Sequence, residues 1–91
     1  MNSRERLGLS VDEYADLLGV VLSTIYRWEN QGYDLSKIDP LRRRLLILIE
    51  GLVEEGDQSV SEALGDEIKF GLKKGPLQGL YALLHYAHKE L

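Results

Sequence analysis

The chain contains no cysteine. That excludes disulfide staples and thiolate metal sites together, and it is compatible with a reducing cytoplasm. No apolar run approaches the roughly 20 residues that a membrane-crossing helix needs. The opening MNSRERLG also lacks the apolar core of a secretion signal. A soluble, cytoplasmic protein with no membrane partner is therefore expected. A surplus of positive charge is missing as well, since Lys and Arg number 11 against 15 Asp and Glu, a net charge of −4. There is no Gly-rich phosphate loop, and neither Ser23 nor Ser59 sits in a nucleophile motif. No pair of carboxylates stands in an apolar setting suited to general acid and base. His85 and His88 share a helix face, but no cysteine or second ligand cluster accompanies them, so surface or interface histidines are the reading. No enzyme, catalytic residue, cofactor or metal is expected.

What is present is an ordinary globular composition, 44% apolar and 29% charged, in 91 residues. Such a length makes one small domain with a modest core. Every segment reads helical, and no strand, repeat or low-complexity tract stands out. The pattern predicts a short helix from Asn2 to Leu7, stopped by Gly8. Ser10 with Glu13 three residues on is a capping box for a second helix ending at Leu18. A third should run from about Leu22 to Gln31, and the connector GYDLSKID follows Gly32. Asp39-Pro40 then supplies a cap and a first-turn proline for a helix to about Glu55, closed by Gly56. Its inner stripe reads Leu41, Leu45, Leu48, Ile49 and Leu52, with Leu46, Ile47 and Val53 widening the apolar surface toward two sides. Ser59 and Glu62 suggest a second capping box for a helix to Lys74, with Val60, Ala63, Leu64, Ile68 and Leu72 inward. After the break at Gly75-Pro76, a last helix to about Lys89 carries Leu77, Leu80, Tyr81, Leu84 and Ala87.

The densest signal lies between Leu9 and Asn30, LSVDEYADLLGVVLSTIYRWEN. Ala15, Gly19 and Ile25 have the spacing of a helix-turn-helix, with Leu18, Val20 and Trp28 at the apolar positions around them. Ala15 is small where two helices cross closely, and Gly19 stands where the turn requires a left-handed backbone. Ile25 and Trp28 lie one turn apart and should bury the inner face of the second helix of the pair. Leu22, Ser23, Tyr26, Arg27 and Asn30 then form an outer face free to enter a major groove.

The run RERLGLSVDEYADLLGVVLSTIYRWENQG resembles the Cro/cI (Xre-type) repressor domains of phage and bacterial regulators. Arg4, Glu5, Gly8, Leu9, Ser10, Glu13, Ala15, Leu18, Gly19, Val20, Ser23, Thr24, Ile25, Arg27, Trp28, Glu29 and Gly32 fit that pattern, allowing one extra residue before Gly32. Two positions depart from it: Val21 stands where the family carries a capping residue, and Leu22 where it carries a polar one. Either Ser23 caps a shortened helix or the helix starts without a side-chain cap, at a cost of about 1 kcal/mol. The resemblance implies an all-α, five- to six-helix bundle of the lambda-repressor-like type with an added C-terminal helix. Residues 1–55 would form the helix-turn-helix region, and residues 56–91 would complete the core and dimerise within one compact domain.

It also implies roles. Arg27 matches the position that points into the groove, and Arg pairs with guanine O6 and N7; its alternative is a solvated, ion-paired arginine. Ser23 and Tyr26 flank it, Leu22 could meet a thymine methyl, and Asn30 either touches DNA or only ends the helix. Thr24 resembles a backbone-contacting position. Arg4, Arg6, Lys37 and Arg43 are candidate phosphate contacts, with plain solvent exposure as the alternative. Arg42-Arg43-Arg44 cannot share one face, so one or two near DNA and the rest solvated or paired with Glu50 or Asp39 is expected. Up to Arg44 there are seven cations against seven carboxylates, so a single copy would bind DNA weakly and a homodimer is expected. Leu80, Tyr81, Leu84 and His85 of the last helix are the candidate interface, unless that helix merely completes the core. The expected partner is double-stranded DNA. Two rival readings are an antitoxin paired with a toxin, and a protein-interaction module whose helix-turn-helix no longer binds DNA.

Overall fold

The computed structural model describes residues 2–90, which fold into six α-helices and one 3₁₀ turn, with no strand among them. Helix α1 (Ser3–Leu7) starts at Asn2, whose side chain accepts from the Glu5 amide, and ends at a left-handed Gly8. Helix α2 (Val11–Leu18) carries the expected capping box, with the Ser10 hydroxyl on the Glu13 amide at 3.1 Å and the Glu13 carboxylate on the Ser10 amide at 2.8 Å. Two of the orphan donors at the helix start are thereby satisfied. Gly19 closes it at φ 70°, ψ 36°, a conformation that side chains with a Cβ disfavour. Helix α3 (Leu22–Gln31) then begins at Val21 with extended backbone and no side-chain cap, the second of the two expected starts. A 3₁₀ turn over Leu35–Lys37 occupies the connector, and Asp39 caps α4 (Pro40–Glu55) through the Arg42 amide.

Helix α5 (Gln58–Leu72) departs from expectation at both ends. Its cap is Asp57, which accepts from the Val60 amide at 3.0 Å, while the Ser59 hydroxyl donates to the same Asp57 oxygen at 2.7 Å. A carboxylate one residue before the helix reaches the free amides first, so Ser59 becomes part of the first turn. At the far end Lys73 and Lys74 close a turn, with the Lys74 amide on Gly71 O at 2.9 Å, instead of extending the helix. Helix α6 (Pro76–Glu90) runs from the second proline.

One continuous core joins all six helices. Leu7 and Leu9 join Tyr14, Ala15, Leu17 and Leu18 of α2, Ile25 of α3, Leu45, Leu46, Ile49 and Val53 of α4, Leu64 and Ile68 of α5, and Leu83 of α6. Several helix faces differ from the simple stripe reading. In α4, Leu46 and Val53 are core residues while Leu41 and Ile47 face solvent. In α5, Ala63 is exposed and Ser61 and Gly65 are buried. In α6, Leu83 and Ala87 point inward, and Leu77, Tyr81 and Leu84 point out. The reason is the same in each case: the direction of the neighbouring helix, not apolarity alone, selects which residues along a 3.6-residue repeat are covered. Gly65 sets one of these neighbours, because a Cβ there would lie 1.7 Å from the Leu7 carbonyl oxygen. The end of α1 therefore rests directly on the α5 backbone.

Helix α3 is different. It packs chiefly on α2 and buries only Ile25 fully. Thr24 and Trp28 are half-buried and its other residues are exposed.

Candidate nucleic-acid interface

The turn between α2 and α3 is fastened from a third helix. Arg42 of α4 donates from Nε to Leu18 O and from Nη2 to Gly19 O, each at 3.1 Å, and from Nη1 to Asp39 at 3.2 Å. These bonds satisfy two carbonyls at the C-terminus of α2, where no intrahelical donor remains. A guanidinium does this well because its donors form a planar fork and its charge complements the negative end of the helix. Of the three consecutive arginines, Arg42 is thus the one paired with Asp39, as expected for part of the cluster. Its staple on the turn was not legible in the sequence.

A second tie fixes the other end of α3. Arg4 of α1 holds both carboxylate oxygens of Glu29, at 2.6 and 3.0 Å, and also donates to Leu9 O at 3.0 Å. The Glu29 hydrogen bonds hold the Arg4 guanidinium more firmly charged than usual. Trp28 leans on Tyr33 with ring centres 5.5 Å apart and planes at 59°, an edge-tilted pair. The Tyr33 hydroxyl in turn donates to Glu50 of α4. Trp28, expected on the buried face of α3, is half-covered by this arrangement.

Between these two ties α3 presents an open row. Val21 is 67% exposed, Tyr26 54% and Leu22 40%, and Ser23, Arg27 and Asn30 are exposed beside them. Arg27 makes no hydrogen bond or ion pair among the described residues. Behind it lies a hollow of about 340 Å³ whose walls include Thr24, Arg27, Lys37 and Arg42 on one hand and Asp34 and Asp39 on the other. Both aspartates are engaged. Hydrogen bonds from the Ser36 hydroxyl and amide hold the Asp34 carboxyl below the usual range. At Asp39 desolvation pushes upward, but the Arg42 amide and guanidinium outweigh it and the carboxyl also ends low. Thr24, Arg27 and Lys37 are therefore brought to one surface.

No family model matches this chain. Neither does any curated protein or any solved structure.

The remaining sequence candidates fall elsewhere. Arg43, expected at a phosphate, is turned back onto the connector, donating to Ile38 O at 3.1 Å, with its Nε buried and unpartnered among the described residues. That bond directs the guanidinium of this half-buried residue toward the connector. Arg4 is held by Glu29. Arg6 is half-buried on α1, its carbonyl accepting from Gln58 of α5 at 3.0 Å, away from the α3 row. On α6, Leu80 is half-buried against the core while Tyr81, Leu84 and His85 stay exposed. Phe70 of α5, 63% exposed with the Lys74 ammonium 4.4 Å from its ring centre, adjoins that surface and was missed. The α5–α6 juxtaposition that reveals it is not a local property of either helix.

Proposed function

We propose that the chain is a DNA-binding regulator of the Cro/cI type, acting as a homodimer on a palindromic site. The observation that carries this reading is the geometry of α3: a helix tied at both ends, resting on one buried residue, with Ser23, Tyr26, Arg27 and Asn30 in the open. A helix in a major groove needs such a free face and a fixed approach angle. Arg27 is the base-reading residue of this proposal, and Thr24 and Lys37 beside it are the phosphate contacts, setting register while Arg27 sets choice. Leu22 supplies an apolar contact to a thymine methyl.

The weak net charge of a single copy makes a second copy part of the reading. Phe70 of α5 and Tyr81 of α6 line one open surface with His85, and Leu77 and Leu84 of α6 are exposed as well. Isologous pairing would cover it and place two α3 helices about 34 Å apart. Occlusion of a promoter follows from such binding, which makes repression the simplest consequence.

A second reading rests on one specific observation. Val21 and Leu22 expose apolar side chains at the groove-facing end of α3, where a partner protein rather than DNA would find them. In that reading the protein is an interaction module or an antitoxin seated on a toxin.

Selection from a random duplex library with the purified protein, followed by salt titration of the winning site, separates the two. Enrichment of a palindrome, bound with a log–log slope of about −0.9 per phosphate neutralised, supports the regulator. Absence of any binding at low salt overturns it and leaves the protein-partner reading.

A further inference from the structure

On the inner side of α3, between α1, α2 and α4, lies a second hollow of about 170 Å³. Its walls are unusual for a domain this small. Tyr14, only 6% exposed, turns into it, and the Tyr14 hydroxyl has no hydrogen-bond partner among the described residues. Trp28 and Tyr33 form an aromatic corner. Glu50 enters from α4; its Oε1 accepts from the Tyr33 hydroxyl, and its Oε2 has no donor among the described residues. Arg4 is present but neutralised, since both Glu29 oxygens face its guanidinium. Glu50 is therefore the uncompensated charge of the hollow, and no cation among the described residues pairs with it.

A partly desolvated carboxylate without a counter-charge is costly, and the Tyr14 hydroxyl beside it makes no hydrogen bond among the described residues. The carboxylate is acceptor-only, and the phenol oxygen can accept as well as donate, so both can take an N–H donor. The aromatic faces beside them attract positive charge and cover alkyl groups equally well. An apolar cavity of about 150 Å³ admits benzene, so the space suits a molecule of that size. We propose that this hollow binds a small primary alkylammonium ion, whose N–H groups donate to Glu50 Oε2 and the Tyr14 hydroxyl while its alkyl chain lies against Trp28 and Tyr33. Burial and the nearby Glu54 raise the Glu50 carboxyl above the usual range, as an unpaired site would be. Because Trp28 and Glu29 belong to α3, the bound ion touches the helix of the proposed DNA face from behind. The site stands whether or not α3 binds DNA.

Trp28 is the only tryptophan of the chain and lines both this hollow and the one behind Arg27, so its fluorescence reports binding and the Glu50 and Tyr14 variants assign the signal to this one. The full-length protein, free of DNA, is titrated with n-propylammonium chloride, against sodium chloride at equal ionic strength and against 1-propanol. The expected result is a saturable change with propylammonium and none with the two controls. Glu50→Gln, which keeps an acceptor for the Tyr33 hydroxyl, should weaken that binding about tenfold or more, with an unchanged circular dichroism spectrum. Should that variant not fold, Tyr14→Phe decides, with an expected weakening of about fivefold. An equal response to propanol, no saturable response in the parent protein, or binding unaltered in both variants overturns the proposal.

Discussion

The Arg42 guanidinium lies 3.1 Å from the carbonyl oxygen of Gly19, joining α4 to the turn that orients α3. Its Nε makes an equally short bond to Leu18 O, so one side chain closes the C-terminus of α2. Hydrogen bonds from charged donors are worth about 1.5–3 kcal/mol each when buried, and partial exposure reduces that. Arg42→Met should lower unfolding free energy by about 1–2 kcal/mol, which urea denaturation measures. Arg42→Lys should recover little, because an ammonium cannot span two carbonyls with a planar fork.

Of the glycines, Gly65 leaves the least room for a Cβ. A methyl group at that position would overlap the Leu7 carbonyl, a backbone atom that cannot rotate away. Gly65→Ala should cost about 3 kcal/mol or more by overpacking, despite the better helix propensity of alanine. A chain as stable as the parent in urea would mean that α1 can lift off α5 freely.

Helix starts give a paired prediction. The Ser10 hydroxyl accepts from the Glu13 amide as one half of the capping box, so Ser10→Ala should destabilise by about 1 kcal/mol. Val21 has the extended backbone of a cap residue, φ −80° and ψ 156°, but no acceptor to offer. Val21→Ser should therefore stabilise by up to about 1 kcal/mol. Thermal melts of the two variants should shift in opposite directions.

Acid should weaken the fold through the helix caps. Asp57 is held below the usual carboxyl range, first by the Ser59 hydroxyl and then by the Val60 amide. A carboxyl depressed in the folded state contributes stability above its unfolded value, about 3.9, and loses it as pH falls through the folded value. Asp57→Asn keeps an acceptor and removes that dependence, so the difference in stability between pH 7 and pH 3 should shrink. Glu50 has the opposite sign: its raised carboxyl makes the folded state less stable as pH rises through its folded value. Glu50→Gln should remove that second slope.

For the DNA reading, Arg27→Ala should cost about 1–3 kcal/mol of binding to the selected site and relax its specificity. Leu83 of α6 is fully buried in the core, so truncation before Pro76 cannot test the dimer without breaking the fold. Tyr81→Glu at the exposed face avoids this, and sedimentation equilibrium should show a shift to monomer.

Much of the chain was determined locally. Ser10 with Glu13, Asp39 with Pro40, and the glycines at 8 and 19 fix where helices start and stop, because caps and left-handed residues act on their own few neighbours. The open row of α3 was legible for the same reason, since Ile25 and the residues around it alternate at helical spacing. Tertiary structure decided the rest. Which leucines of α4 and α6 are core depends on where α5 lies, and that is set by the contact of Gly65 with Leu7, 58 residues apart in sequence. The partners of the arginines were equally hidden: Arg4 reaches Glu29 and Arg42 reaches Gly19 across gaps of 25 and 23 residues. Charge alone states that a cation wants an anion or a carbonyl. Only the packed helices bring one of them within reach.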